Sequence, residues 1–308
     1  MSSLTIVMYH YVREIKDSAY PLIKGLEFEG FKRQLDHLEA SHTIITAEQL
    51  LAFANCAGEI PDNSCLLTFD DGYKDHIDYV FPELIKRKIQ GSFFPSVKSV
   101  MEREMLDVNC IHFILASQTN FAILINEIRE TCFASGVSDQ DFTYYWHTYG
   151  VASRYDPKEV VFIKRMLQHA LPERLRNNIT SYLFKKYVCD DSHDFANELY
   201  LSLDDAKKMV ESAMYVGSHG YRHLWLNKES KNSQESEISL SLEFLNRIGA
   251  PTENWIMCYP YGGYNADTLD ILKHQKCSVG LTTKIGIAQL DGDNLLELPR
   301  FDTNDFPQ

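Results

Sequence analysis

The chain has 308 residues, 44% of them apolar, which is enough to bury a large core as one α/β domain or as one domain carrying a big insertion. Its 30 Lys and Arg against 43 Asp and Glu give a formal charge of -13, which disfavours nucleic acid or an anionic membrane as partner and suits a neutral or cationic substrate. Seven cysteines (Cys56, Cys65, Cys110, Cys132, Cys189, Cys258, Cys277) are odd in number, scattered and without a C-x-x-C pair. They read as buried thiols in a reducing compartment rather than a disulfide framework.

From Met1 to His10 there is no basic leader and no small-residue cleavage pattern, so this stretch reads as a first strand rather than a signal peptide. No run approaches the roughly 18 apolar residues of a membrane-spanning helix. The expectation is a cytoplasmic protein. Leu4 to Tyr9 is apolar and ends at His10-Tyr11, delivering a histidine and an aromatic at a strand's carboxyl end. Phe28, Phe31, Leu35 and Leu38 recur at helical spacing, and Thr46 with Gln49 is a capping-box pattern that opens a short helix.

Cys65-Leu66-Leu67-Thr68-Phe69 reads as a strand buried on both faces, followed by Asp70-Asp71 and the tight turn that Gly72 permits. A helix follows from about Tyr73 to Lys88, in which Pro82 must cause a kink or mark a new first turn. Gly91 to Pro95 is the next buried strand. From about residue 101 to 200 the rhythm becomes mainly helical, with helical periodicity in Ile111 to Ala116, Phe121 to Arg129 and Val160 to Ala170. This region is expected to be a helical insertion in a single domain spanning 1–308. Within it, Tyr144-Tyr145-Trp146-His147-Thr148-Tyr149 fits either a sugar-binding surface or internal packing.

The α/β rhythm then resumes. Ser202 with Asp205 caps a helix, Met214 to Val216 is a strand ending at Gly217-Ser218-His219, and the helix through Ile238, Leu242 and Leu245 stops near Gly249. Trp255 to Tyr259 is a strand leading into Pro260-Tyr261-Gly262-Gly263, a helix passes through Leu269 and Leu272, and Ser278 to Thr282 is a last strand before Leu298-Pro299-Arg300-Phe301-Asp302. Special residues repeatedly fall at strand carboxyl ends, as in a parallel barrel.

Adjacent strand-end acids cannot point the same way, so one is free to bind a metal while the other handles a proton; the alternative is a helix cap with a salt bridge. His219 and His223, four residues apart, are close enough to share one ion, although such spacing is also common in purely structural histidines. Taken together, two imidazoles and one carboxylate suit zinc or a related divalent ion and leave positions open for water and substrate, as a hydrolytic site requires.

Three segments carry a family resemblance: Thr68-Phe69-Asp70-Asp71-Gly72, Ser218-His219-Gly220-Tyr221-Arg222-His223, and Tyr259-Pro260-Tyr261-Gly262. They resemble the first three motifs of the polysaccharide deacetylase family, the NodB-homology domain of carbohydrate esterase family 4. Tyr9-His10-Tyr11 resembles a feature of some of its branches. The likeness covers roughly residues 1 to 100 and 201 to 308. It implies a distorted (β/α) barrel of about seven strands and an Asp-His-His site for a divalent ion, zinc or else cobalt or nickel. By position, Asp71, His219 and His223 would be the ligands, Asp70 the catalytic base, and the Tyr261 backbone N–H the oxyanion donor. The implied reaction is removal of an N-acetyl group from an amino sugar or glycan precursor.

Two departures stand out. Cys258 occupies the position of an arginine that orients the catalytic aspartate in many members, and no histidine follows His274 to serve as the late general acid. His10 is the proposed substitute acid and Arg300 the proposed partner of Asp70; the alternatives are a histidine hydrogen-bonded beneath the site and a surface salt bridge. Cys258, ending an apolar strand, reads as an inert thiol rather than a nucleophile. Two other functions remain open: an amidase on a non-sugar amide, and a non-catalytic carbohydrate-binding protein on a deacetylase scaffold.

Overall fold

The computed structural model describes residues 2–291 and 294–307, and the chain divides into two compact units. The first comprises Met1–Glu14, Gly25–Glu104 and Asn197–Gln308; the second comprises Ile15–Lys24 and Met105–Ala196. The helical segment therefore forms a compact body with ten residues drawn from nearer the amino terminus, which periodicity alone does not reveal.

In the first unit the main strands are β1 (Ser3–Tyr9), β2 (Ser64–Asp71), β3 (Ser92–Pro95), β4 (Tyr215–Val216), β5 (Trp255–Cys258), β6 (Cys277–Leu281) and β7 (Phe301–Asp302). Parallel ladders join β7 to β1, β1 to β2, β2 to β3, and β3 to β4, while β5 and β6 form a separate parallel pair. Single bridges connect Ser218 with Met257 and Leu281 with Leu298. The result is an α/β unit with a parallel-rich sheet. Its ladders do not form a closed sheet, because isolated bridges stand where the expected barrel would need continuous ones.

Every residue of β2 is buried, and its alternation divides the core. Leu67 and Phe69 join Val7, Tyr9 and Phe93 against Phe31, Leu35 and Leu38 of the amphipathic helix Phe28–Ser41. Leu66 faces the other way, into a cluster with Ile6, Phe94, Ile256, Val279 and Leu281 from the other strands. Phe69 stacks on Tyr9 at 5.0 Å on one side and on Phe93 at 4.9 Å on the other, tying three adjacent strands together. Each such buried side chain contributes about 1.5–3 kcal/mol of transfer free energy.

The helix signals are realised in detail. Thr46 and Gln49 form a reciprocal capping box at Ala47–Ala54, Ser202 and Asp205 do the same at Leu203–Glu211, and Gly249 ends Lys231–Ile248 in a left-handed conformation. Pro82 does mark a new start: one π-helical turn, His76–Val80, precedes the helix Phe81–Arg87, whose first turn contains the proline.

The second unit includes the helices Asp107–Ser117, Phe121–Ala134, Asp139–Tyr149, Lys158–Arg165 and Glu173–Tyr187. In the aromatic helix, Trp146 packs edge-on against Phe162 at 4.9 Å and Tyr149 against His169 at 5.5 Å, whereas Tyr144 is 63% exposed. Internal packing accounts for most of this aromatic run. Among the described residues, no helix is long and apolar enough to cross a membrane.

Gly72 is where β2 gives way to the turn that follows. Its φ is +74°, and a Cβ there would lie 2.5 Å from the Pro95 Cβ on the neighbouring strand. Gly72→Ala is expected to lower stability by about 2–5 kcal/mol, from left-handed strain plus overpacking. Denaturant unfolding would check it, and a loss below about 1 kcal/mol would show that this turn tolerates a side chain.

Candidate metal centre

The end of β2 places Asp70 and Asp71 opposite Phe94 and Pro95 of β3, with only 2% and 3% of their surface exposed. Two buried carboxylates need separate compensation, and they receive it from different directions. Asp70 meets Arg300 in a two-pronged pair, with Nη1 on Oδ1 at 3.0 Å and Nη2 on Oδ2 at 2.8 Å. Arg300 is itself 1% exposed and also donates to the Thr68 hydroxyl and the Thr282 carbonyl. This is a buried, multiply bonded pair and not a surface salt bridge. Burial alone would raise the Asp70 carboxyl, but the Arg300 guanidinium, aided by His219 and His10, holds it down at about 2.

Asp71 turns the other way on a backbone with φ of +71°, a conformation that few non-glycine residues adopt. Its Oδ1 lies 3.4 Å from His219 Nε2 and 3.1 Å from His223 Nε2. Burial opposes ionisation of Asp71, and the two imidazoles outweigh it, holding the carboxyl well below its ordinary range. His219 follows β4, and its Nδ1 donates to the Cys258 carbonyl at 2.7 Å at the end of β5. That bond turns Nε2 toward Asp71. His223 sits on a left-handed backbone with φ of +60°, in a loop braced by Glu237, which accepts from the Tyr221 and Arg222 amides and from the Arg222 side chain.

These donors fit a divalent ion. Ligands at about 2.0–2.1 Å around a tetrahedral centre stand about 3.3 Å from one another, close to the two separations at Asp71. Asp71 Oδ1 is buried and accepts no hydrogen bond among the described residues, as expected of an oxygen reserved for a cation. Asp70, His219 and Cys258 also come within reach of one another, but Asp70 is committed to Arg300 and burial pushes the Cys258 thiol up. The Asp71, His219 and His223 set is the better metal site.

The remaining candidates cluster nearby. His10 follows β1, close enough for its charge to bear on both Asp70 and Asp71, and its carbonyl accepts from His76 Nε2 at 2.8 Å. Tyr261 has a left-handed backbone, φ +58°, and its ring lies 4.6 Å from His223. Cys258 is fully buried with its carbonyl in use by His219, consistent with an inert thiol.

Four contributors escape a reading based on motifs. Tyr73 donates to Asp71, His76 supports His10, Trp225 stacks on Tyr261 at 4.5 Å, and Glu237 braces the histidine loop. A signal for Glu237 does exist: Gln234, Glu237 and Ser241 are polar residues at helical spacing, and all three are buried on one helix.

Comparison with known proteins bears on family and on fold. A family model described as polysaccharide deacetylase matches residues 57–279. The Bacillus subtilis (strain 168) protein "Putative polysaccharide deacetylase YxkH" is 29% identical over 92 residues, a match covering 30% of this chain and 33% of that relative. Among solved structures, the Streptococcus pyogenes deacetylase PplD in complex with acetate superposes with a TM-score of 0.57 at 17% identity, covering 98% of this chain and 92% of that one. IcaB from Ammonifex degensii gives 0.54 at 18% identity, covering 92% and 84%. BC0361, a polysaccharide deacetylase from Bacillus cereus, gives 0.57 at 18%, covering 98% and 65%. At such identities the structural likeness speaks to the fold. The family match takes in well over half of the chain and contains Asp70, Asp71, His219, His223 and Tyr261, and the chain belongs to the polysaccharide deacetylase family.

Proposed function

We propose that this protein is a metal-dependent hydrolase that removes an N-acetyl group from an amino sugar or glycan precursor. The observation that carries the reading is the convergence of Asp71, His219 and His223 beside a second carboxylate, Asp70, held ionised by Arg300. Asp71 Oδ1 and the two Nε2 atoms would hold the ion, zinc or else cobalt or nickel. When bound, it would supply Lewis acidity to a water and to the acyl oxygen.

The chain's own residues would do the rest. Asp70 accepts the proton as water adds to the amide carbonyl, the Tyr261 backbone N–H steadies the tetrahedral oxyanion, and His10 protonates the leaving nitrogen as the C–N bond breaks. Acetate and a free amine result. Arg300 supports Asp70 from the closing segment, so Cys258 in the third motif leaves the base with a partner after all. This weighs against a retired, binding-only scaffold. We further infer a distorted barrel, supported by an interior cluster that draws on β1 to β6 and on Leu298. Seven free cysteines support a reducing, cytoplasmic setting.

Purified protein supplied with zinc, cobalt or nickel is expected to release acetate from acylated amino sugars in preference to cyclic or linear non-sugar amides. Asp71→Ala and His219→Ala should each lose the stoichiometric ion and at least about 100-fold in turnover. Undiminished turnover in a chelator, with no bound ion, would end the metal-hydrolase reading; preference for a non-sugar amide would make the protein an amidase of another class.

Arg300→Met strips a buried carboxylate of its partner and should cost about 3–5 kcal/mol. The sign of the pH effect follows from Asp70. Its lowered folded-state value adds stability above the ordinary carboxylate range, and that stability is lost as pH falls toward about 2. Without Arg300 the carboxyl titrates higher, so the acid limb of kcat/KM should move to higher pH. An unchanged limb would remove Arg300 from the mechanism. His10→Ala should lower kcat about 100-fold or more while leaving metal content intact, and full turnover in this variant would reject the acid role.

A further inference from the structure

The two oxygens of Asp71 live in different surroundings. Oδ1 faces the imidazoles of His219 and His223, whereas Oδ2 accepts a hydrogen bond from the Tyr73 hydroxyl at 2.5 Å. A carboxylate that can rotate is able to offer either one oxygen or both to a cation. One whose second oxygen is held by a charge-assisted hydrogen bond is biased toward offering the other.

Tyr73 has little freedom to release that bond. It is fully buried, and its ring stacks on Tyr11 at 4.1 Å and lies nearly parallel to Tyr200 at 6.2 Å. Its backbone bridges to Tyr200, and the neighbouring bonds from Leu201 N to the Gly72 carbonyl and from Lys74 N to the Leu199 carbonyl pin the chain on both sides. A similar outer contact fixes His219 through the Cys258 carbonyl. His223 differs, since its buried Nδ1 has no hydrogen-bond partner among the described residues.

We infer that Tyr73 is a positioning residue for the metal centre: by holding Oδ2 it makes Asp71 a one-oxygen ligand, which sets the affinity of the site and keeps coordination positions free for water and substrate. This inference rests on the deacetylase reading for the presence of the ion, and on the Tyr73 to Asp71 contact for the role.

The test compares metal-free parent, Tyr73→Phe and Tyr11→Phe proteins, titrated with zinc and with cobalt against a chromophoric chelator. Tyr73→Phe keeps the ring and loses only the hydroxyl. It is expected to bind both ions 10- to 100-fold more weakly, the size of effect typical when a ligand loses its outer partner. The visible spectrum of its cobalt form should also change as Oδ2 is released. Tyr11→Phe, which leaves the Tyr73 hydroxyl in place, should keep parental affinity and spectrum. Parental affinity in Tyr73→Phe would overturn the role, as would an equal loss in Tyr11→Phe, which would assign the effect to the tyrosine stack. A weakened Tyr73→Phe whose metal-free form has also lost its far-ultraviolet circular dichroism would likewise be counted against it. A parent that takes up neither ion would remove the metal centre itself, a result distinct from any of these.

Discussion

Two carboxylates at consecutive positions in a buried strand impose a constraint that most of the first unit is arranged to satisfy. Each side chain, left alone, would cost several kcal/mol or take up a proton. Because successive residues of a strand face opposite ways, the two acids have different direct partners, although His219 and His10 bear on both. Asp70 therefore receives a guanidinium brought by the closing segment, and Asp71 receives two imidazoles from the loop after β4 and a phenol from the turn after β2. The difference in environment between the acids follows from this division. One carboxylate has both oxygens bonded to a guanidinium and is held ionised, while the other keeps one oxygen bare and is suited to a cation.

The backbone bears part of the cost. Asp71, His223 and Tyr261 all have positive φ values, between +58° and +71°, at three separate strand ends. Such conformations persist where the surroundings over-determine them, and here the surroundings are visible: Gly72 packed on Pro95, the Glu237 brace under the histidine loop, and the Trp225 ring lying on Tyr261. Seven other described non-glycine residues, Lys88 and Ala213 among them, also have positive φ, so such backbone is not confined to the site; at the site it is braced by these contacts and by the apolar clusters to either side of the strands.

Much of this was legible in the residues. Short apolar runs, capping boxes and the stop at Gly249 are local signals, and local signals survive folding because they are settled within a turn or two of chain. The acids and the histidines could be paired because each lies at the end of an apolar strand. Less legible were contacts made by residues of ordinary type at long range. Nothing in the Ile15–Lys24 stretch marks it as part of the helical unit, and no periodicity distinguishes a closed ladder from an isolated bridge such as Ser218 with Met257. Tyr73 and His76 are fully buried, and their polar atoms matter because of what tertiary structure brings against them.

The partnership of Asp70 with Arg300 also has a timetable. The two residues are separated by 230 positions, so the pair closes one of the longest loops the chain can make. At ordinary rates of synthesis, roughly 10–50 s pass between the appearance of the first partner and that of the second. Throughout that interval the end of β2 that carries Asp70 lacks the guanidinium it is buried with in the folded chain. Until Arg300 has been made, Asp70 stays hydrated, and burial of this strand end waits on a single guanidinium.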